Sequence, residues 1–126
     1  MASTDFLNSA GDAFLLQSAL MGNASALRFK RRPVSYGADA DKTLASNEYD
    51  GTLIDIGSGT ALGATRKLIL PLTDGAIWVI NNQSTGGQSV QAIGATGTGV
   101  TIGAGKVAVV WCNGTNIYRL TADATP

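Results

Sequence analysis

The sequence predicts an all-β fold, a small β-sandwich or barrel-like module with an N-terminal partly helical arm. Three observations predict it. Glycine makes up 16 of the 126 residues and proline only 3, a balance that suits many tight turns and not a disordered Pro-rich tail. From Val34 onward, short runs rich in Val, Ile and Thr are broken by Gly- and Asn-rich turns about every 8–12 residues, as in sandwiches and barrels. Before that point the apolar residues keep a helical rhythm. The chain therefore divides into an arm, residues 1–33, and a β module, residues 34–126.

In the arm, Phe6, Ala10, Ala13, Phe14, Leu16 and Leu20 recur at helical spacing. Asp12 can cap a helix running to Met21, and Gly22 stops it. Gly11 weakens any single helix through the whole region. Arg28, Lys30, Arg31 and Arg32 follow, four of the nine basic residues within five positions, just before Pro33.

In the β module, residues 34–51 read as a short strand, a loop and an edge-like piece. Residues 52–56 form a strand and lead into the turn-rich GSGTALGAT. Residues 66–70 are the next strand, closed by Pro71. Asp74-Gly75 marks a turn before a strand over 76–82, and Gly86-Gly87 breaks the chain before one over 88–93. Strands over 100–102 and 106–112 follow, and Asn113-Gly114 is a hairpin signal before 117–121. No repeat of solenoid length and no low-complexity tract is visible.

The last hairpin permits a register argument. With a two-residue loop at Asn113-Gly114, Val107, Val109 and Trp111 share a face with Tyr118 and Leu120. A four-residue loop over 113–116 gives the same parity. This large apolar set is expected to face the core, leaving Ala108, Val110, Cys112, Ile117 and Arg119 on the other side.

Charge and chemistry narrow the function. Lys plus Arg and Asp plus Glu both number 9, so a nucleic-acid-binding role is not expected. With no histidine, His-based triads and His-ligated metals are excluded. The single Cys112 cannot form an intrachain disulfide, which fits synthesis in a reducing compartment, and it reads as a small buried hydrophobe. No secretory signal or membrane-spanning run is expected. Asp39, Asp41, Glu48, Asp50 and Asp55 lie within seventeen residues. They could supply a glycosidase pair or a weak calcium site, but they read more simply as solvated loop residues. The Gly clusters lack the phosphate-loop pattern. Trp78 and Trp111 sit in apolar strand runs and are expected in the core rather than in a sugar-stacking platform. No enzyme, cofactor or metal site is expected.

Several elements together resemble a family pattern. They are ADKTL, then LIDI, then Arg66 leading into an apolar strand closed by Pro71. Next come Asn81-Asn82-Gln83-Ser84-Thr85-Gly86-Gly87, then Gly97-Thr98-Gly99-Val100-Thr101-Ile102. Gly105-Lys106 opens a strand to Trp111, and Asn113-Gly114-Thr115-Asn116 closes the set. Over residues 41–120 this is similar to β modules of tailed-bacteriophage tail fibres and capsid cement (decoration) proteins. In those relatives the final turn often begins with Asp, where this chain has Asn113. The resemblance implies a trimeric virion component and no enzyme. A short chain with one arm and one β module favours a cement protein on the outer capsid surface, made in the host bacterial cytoplasm and bound to the major capsid protein. The alternative it implies is a tail-fibre or receptor-binding piece recognising host glycans. The arm is then the expected attachment device, with Phe6, Phe14, Leu15, Leu20, Arg28, Phe29, Lys30, Arg31 and Arg32 as partner-binding residues.

Overall fold

Strands are set by alternation in this chain, while their order in space is set by pairings between distant residues. In the computed structural model, which describes residues 30–126, the strands are β1 (Arg31–Val34), β2 (Lys42–Thr43), β3 (Leu53–Ile56), β4 (Arg66–Ile69), β5 (Ile77–Asn82), β6 (Val90–Ile93), β7 (Val100–Ile102), β8 (Val107–Cys112) and β9 (Ile117–Arg119). A single short helix, α1 (Ser46–Tyr49), interrupts them, and the Glu48 side chain accepts from the Ala45 N–H at its start. The domain is β-rich, as expected. β1 takes in Arg31, Arg32 and Pro33, which the division at residue 33 leaves in the arm.

The strands form two mixed sheets, β1-β3-β5-β8-β9 and β2-β4-β6-β7. Successive strands from β1 to β6 fall alternately in one sheet and the other. β1, β3 and β5 are parallel in the first, and β2, β4 and β6 are parallel in the second. Arg31 faces Leu53 and Leu53 faces Val79, offsets of 22 and 26 residues. In the other sheet Lys42 faces Leu68 and Arg66 faces Val90, offsets of 26 and 24. The chain thus winds three times through both sheets before β7, β8 and β9 join them antiparallel. This coil has no counterpart in a sequence repeat, because only apolar character at inward positions has to recur.

Each turn of the coil contributes to one core. Ile54, Ile56 and Ile80 from one sheet meet Leu68, Val90 and Ile102 from the other, all without exposed surface. Two buried aromatic residues keep their polar atoms satisfied: the Tyr36 hydroxyl donates to the Lys67 carbonyl at 3.0 Å, and Trp78 Nε1 donates to the Tyr49 carbonyl at 3.0 Å. Burial, followed by the charge of Asp41, pushes the Tyr36 hydroxyl well above its ordinary range. Gly86 sits where two turns of the coil pass closely. Its φ of 111° is left-handed, and a β-carbon there would collide with the Leu62 backbone, so only glycine fits.

The face expected to be buried on β8 and β9 is the outer one. Trp111 and Tyr118 are each 36% exposed and Leu120 is 60% exposed, whereas Ala108, Val110, Cys112 and Ile117 are buried. The four-residue turn and the parity hold, with Cys112 opposite Ile117. Parity groups residues on a face without choosing which face turns inward. Here β5 decides: Trp78 lies opposite Val110 and Ile80 opposite Ala108. The core volume over β8 is already taken by these larger neighbours, so β8 supplies small residues to it.

Asn82 is the one buried polar residue in the described core. It continues the inward column Val34, Ile56, Asn82. Its Nδ2 donates to the carbonyls of Gln88, Ile102 and Gly103 at 3.1–3.2 Å, and its Oδ1 accepts from the Ser84 N–H and hydroxyl. It thereby ties the end of one sheet to the chain entering and leaving the other. Asn82→Ala should cost about 1–3 kcal/mol, because buried carbonyls lose their donor. Thr101→Ala, at an exposed position of β7, should stay within about 0.5 kcal/mol of the parent. Denaturant melts of both variants check the ranking, and equal midpoints would remove Asn82 from this role.

Candidate functional site

The clustered carboxylates could supply a glycosidase pair or a calcium site. Each is occupied with a different structural partner. Asp39 Oδ1 accepts from Arg66 Nε at 2.8 Å and from the Gly63 N–H at 3.0 Å. Asp41 accepts from the Lys67 N–H at 2.8 Å, and Glu48 pairs with Lys42 at 3.5 Å. Asp55 accepts from Arg31 Nε at 2.8 Å and from Asn81 Nδ2 at 2.9 Å. No group of three His, Cys, Asp or Glu residues among the described residues could hold a metal ion. These acids pin loops to strands; they do not converge on a common point.

The basic run is likewise engaged. Asp50 accepts from Arg32 Nε and Nη2 at 2.7 and 2.9 Å and from Lys30 Nζ at 3.3 Å, and Asp55 takes Arg31. An acidic partner would have to compete with Asp50 and Asp55 for Lys30, Arg31 and Arg32. The other expected contact residues, Phe6, Phe14, Leu15, Leu20, Arg28 and Phe29, lie outside the described residues.

What stands out instead is the outer face of the five-stranded sheet. Ile77, Trp111 and Tyr118 face one another across β5, β8 and β9. Ile77 is 51% exposed. The Trp111 and Tyr118 rings lie 5.0 Å apart, tilted by 32°. Leu53, Val79 and Val109 form the next row, half-buried. Leu120, whose N–H donates to the Val109 carbonyl at 2.8 Å, extends that row. At the rim, Asn113 and Asn116 donate through Nδ2 to the Tyr118 hydroxyl at 3.4 and 3.3 Å. An open depression of about 310 Å³, lined by Tyr49, Thr52, Pro71 and Trp78, adjoins the face at Ile77.

The other sheet turns a different surface outward. Lys67, Gln91 and Thr101 face one another across β4, β6 and β7, and Thr43 stands exposed on β2. One outer face therefore mixes a polar row with the apolar row Ile69 and Ile93, the latter buried, and the other carries a larger set that includes two aromatic rings. Isolated apolar residues on a surface are ordinary, but a contiguous aromatic and aliphatic patch marks a contact surface. Sequence reasoning grouped Trp111, Tyr118 and Leu120 correctly on one face and then assigned that face to the core. A spatial order for the strands was the missing signal.

The ion pairs generate a pH prediction. The Arg32 guanidinium, with Lys30 behind it, holds the Asp50 carboxyl far below the usual carboxylate range. Arg66, then the Gly63 N–H, lowers Asp39 in the same way. Both folded values lie below the ordinary value of 3.8. The stability these groups contribute is therefore fully present above that value and is lost as pH falls through the folded values. Thermal melts should be insensitive to these two groups from about pH 8 to 5 and should decline below about pH 4. Asp50→Asn should melt lower than the parent at neutral pH, and the gap should narrow progressively as pH falls below about 4. A gap that persists unchanged into acid would show that the Asp50 pairing is not its origin.

Compared with known proteins, the chain matches no family model, no curated protein and no solved structure.

Proposed function

We propose that this chain is a structural protein of a tailed-bacteriophage virion, a capsid cement (decoration) protein that binds the outside of the head as a homotrimer through a sandwich-like β module. The observation that carries the reading is the exposed apolar and aromatic set Ile77, Trp111, Tyr118 and Leu120 on the outer face of the five-stranded sheet. A domain of this kind is made to be covered, as a component of an assembly is. The resemblance of residues 41–120 to cement and fibre β modules supplies the kind of assembly. β1, the first described strand, is the edge strand of the same sheet.

The sheet edges are poor alternatives for association. Pro33 removes a donor from the outer edge of β1, and Arg31 and Arg32 add charge there; β2 has two residues, and β7 and β9 three each. Short, charged or Pro-bearing edges discourage strand addition.

A second reading has its own observation. The exposed Trp111–Tyr118 pair, with two amide side chains at its rim, is also suited to stacking on a sugar, as a tail-fibre or receptor-binding piece recognising host glycans would need. Trp111→Ala separates the two. On the cement reading, native mass measurement shows trimers for the parent, weakened by the substitution, and co-sedimentation with undecorated capsids falls with them. On the glycan reading, assembly is unchanged while binding to host surface polysaccharide is lost. A parent that stays monomeric at micromolar concentration and does not sediment with capsids overturns the cement assignment.

A further inference from the structure

We propose that Asn113 is a self-modifying site, an asparagine whose side-chain amide is converted to a carboxylate by the turn that holds it, with water as the only co-reactant.

The chemistry is that of an asparagine followed by glycine. The backbone nitrogen of Gly114 gives its proton to a solvent base and attacks Cγ of Asn113. The N–Cγ bond forms, the Cγ–Nδ2 bond breaks, and ammonia leaves with an added proton. The product is a five-membered succinimide. Water then opens the ring, at Cγ to give aspartate or at the backbone carbonyl carbon to give isoaspartate. One water is consumed and one ammonia released. Nucleophile and electrophile belong to adjacent residues, so their encounter costs little entropy. Gly114 carries no side chain to obstruct it, and Asn113 is open to solvent.

The nucleophile singles out this asparagine. A backbone N–H bonded to a carbonyl is held in place and keeps its proton. Among the described residues, the N–H after Asn47 donates to the Ala45 carbonyl at 2.8 Å, and that after Asn81 to the Lys106 carbonyl at 2.8 Å. The N–H after Asn82 donates to the Ile56 carbonyl at 2.9 Å, and that after Asn116 to the Thr98 carbonyl at 3.0 Å. The N–H of Gly114 meets instead Cys112 Sγ at 3.3 Å, and sulfur is a weak acceptor.

The electrophile is prepared as well. Asn113 Oδ1 accepts from the Thr115 and Asn116 N–H groups, both at 2.9 Å. Addition to Cγ drives negative charge onto Oδ1, where these two donors already point, as in an oxyanion hole. Fixing Oδ1 also fixes Nδ2, which faces the Tyr118 hydroxyl at 3.4 Å. Once Cγ is tetrahedral, Nδ2 carries a lone pair, and that hydroxyl supplies the proton with which ammonia departs. Solvent then restores the hydroxyl proton. The aspartate product keeps both backbone donors and adds a negative charge at the rim of the Trp111–Tyr118 patch. Asp74 stands beside it, its Cβ 3.4 Å from the place a β-carbon on Gly114 would take. The conversion does not depend on the assembly proposed above, but it would mark the age of a subunit as a charge on that face.

The test is incubation of the full chain at neutral pH in water labelled with oxygen-18, followed by peptide mapping with fragmentation that separates aspartate from isoaspartate. Labelled carboxylate is expected at position 113, while Asn47, Asn81, Asn82 and Asn116 stay amides. Conversion in the folded chain should be at least as fast as in the same chain held in denaturing guanidinium. Tyr118→Phe should slow the folded reaction about threefold or more, a small share of what a general acid supplies in a closed site, and leave the denatured rate unchanged. An Asn113 that stays an amide when folded but converts when denatured overturns the proposal, since the turn then protects the residue. Equal folded rates for Tyr118→Phe and the parent overturn the part given to the hydroxyl.

Discussion

Everything in this domain depends on the parallel stacking of its first six strands. Because consecutive strands lie in opposite sheets, neither sheet can form without the other. Each pass of the chain adds one strand to both and one layer to the core between them. The column Val34, Ile56, Asn82 shows how the stack is terminated. Two apolar layers are followed by an amide, and the amide's donors reach the carbonyls of Gln88, Ile102 and Gly103. A third apolar residue there would leave those carbonyls unsatisfied, and a charged one would be buried without a counterion. Asn82 supplies donors and acceptors at the point where the chain stops coiling and turns antiparallel. The far end of the antiparallel part is closed in a related way. Arg119 donates to Asp123 at 2.6 Å and to the Thr101 carbonyl in the opposite sheet, while Asp123 accepts from the Gly103 N–H.

The same stacking explains the uneven surface. A residue that points out of one sheet is exposed only if nothing lies beyond that sheet, and the two sheets answer this differently. The four-stranded sheet turns Thr43, Lys67, Gln91 and Thr101 to solvent. The five-stranded sheet turns out Leu53, Val79, Ile77, Trp111 and Tyr118. Packing within the domain does not require those five to be large or aromatic. Trp and Tyr are among the residues that contribute most per position in protein contacts, which fits the assembly role proposed above. The edges point the same way. With Pro33 and paired arginines on β1, growth by strand addition is discouraged while the face is left open.

Much of the fold was legible. Strand positions follow from alternation and from Gly and Asn turns, so β3 to β9 appear within one or two residues of their expected bounds. What local pattern could not give was order in space. A hairpin announces itself through two adjacent segments, and the one at Asn113-Gly114 was found with its parity, the choice between a two- and a four-residue loop being settled by Cys112 lying opposite Ile117. A parallel pairing joins residues more than twenty apart, and no residue near Leu53 records that Val79 will lie beside it. The misassigned face of Trp111 follows directly. Residue size suggested the core, but Trp78 on the neighbouring strand had already taken that space. The acidic cluster was read as solvated loop residues, but Asp55 stands in β3 and Glu48 in α1, and each member has a structural partner.

The basic run shows why composition alone misleads about contact surfaces. Three of its residues, Lys30, Arg31 and Arg32, stand beside Asp50 and Asp55 and are matched to them in bonds of 2.7 to 3.3 Å. Exposed pairs of this sort are each worth only about 0–1 kcal/mol, so they do little to hold the fold. Their effect lies in position: they fix the direction in which the chain enters β1 and keep that edge charged and hydrated.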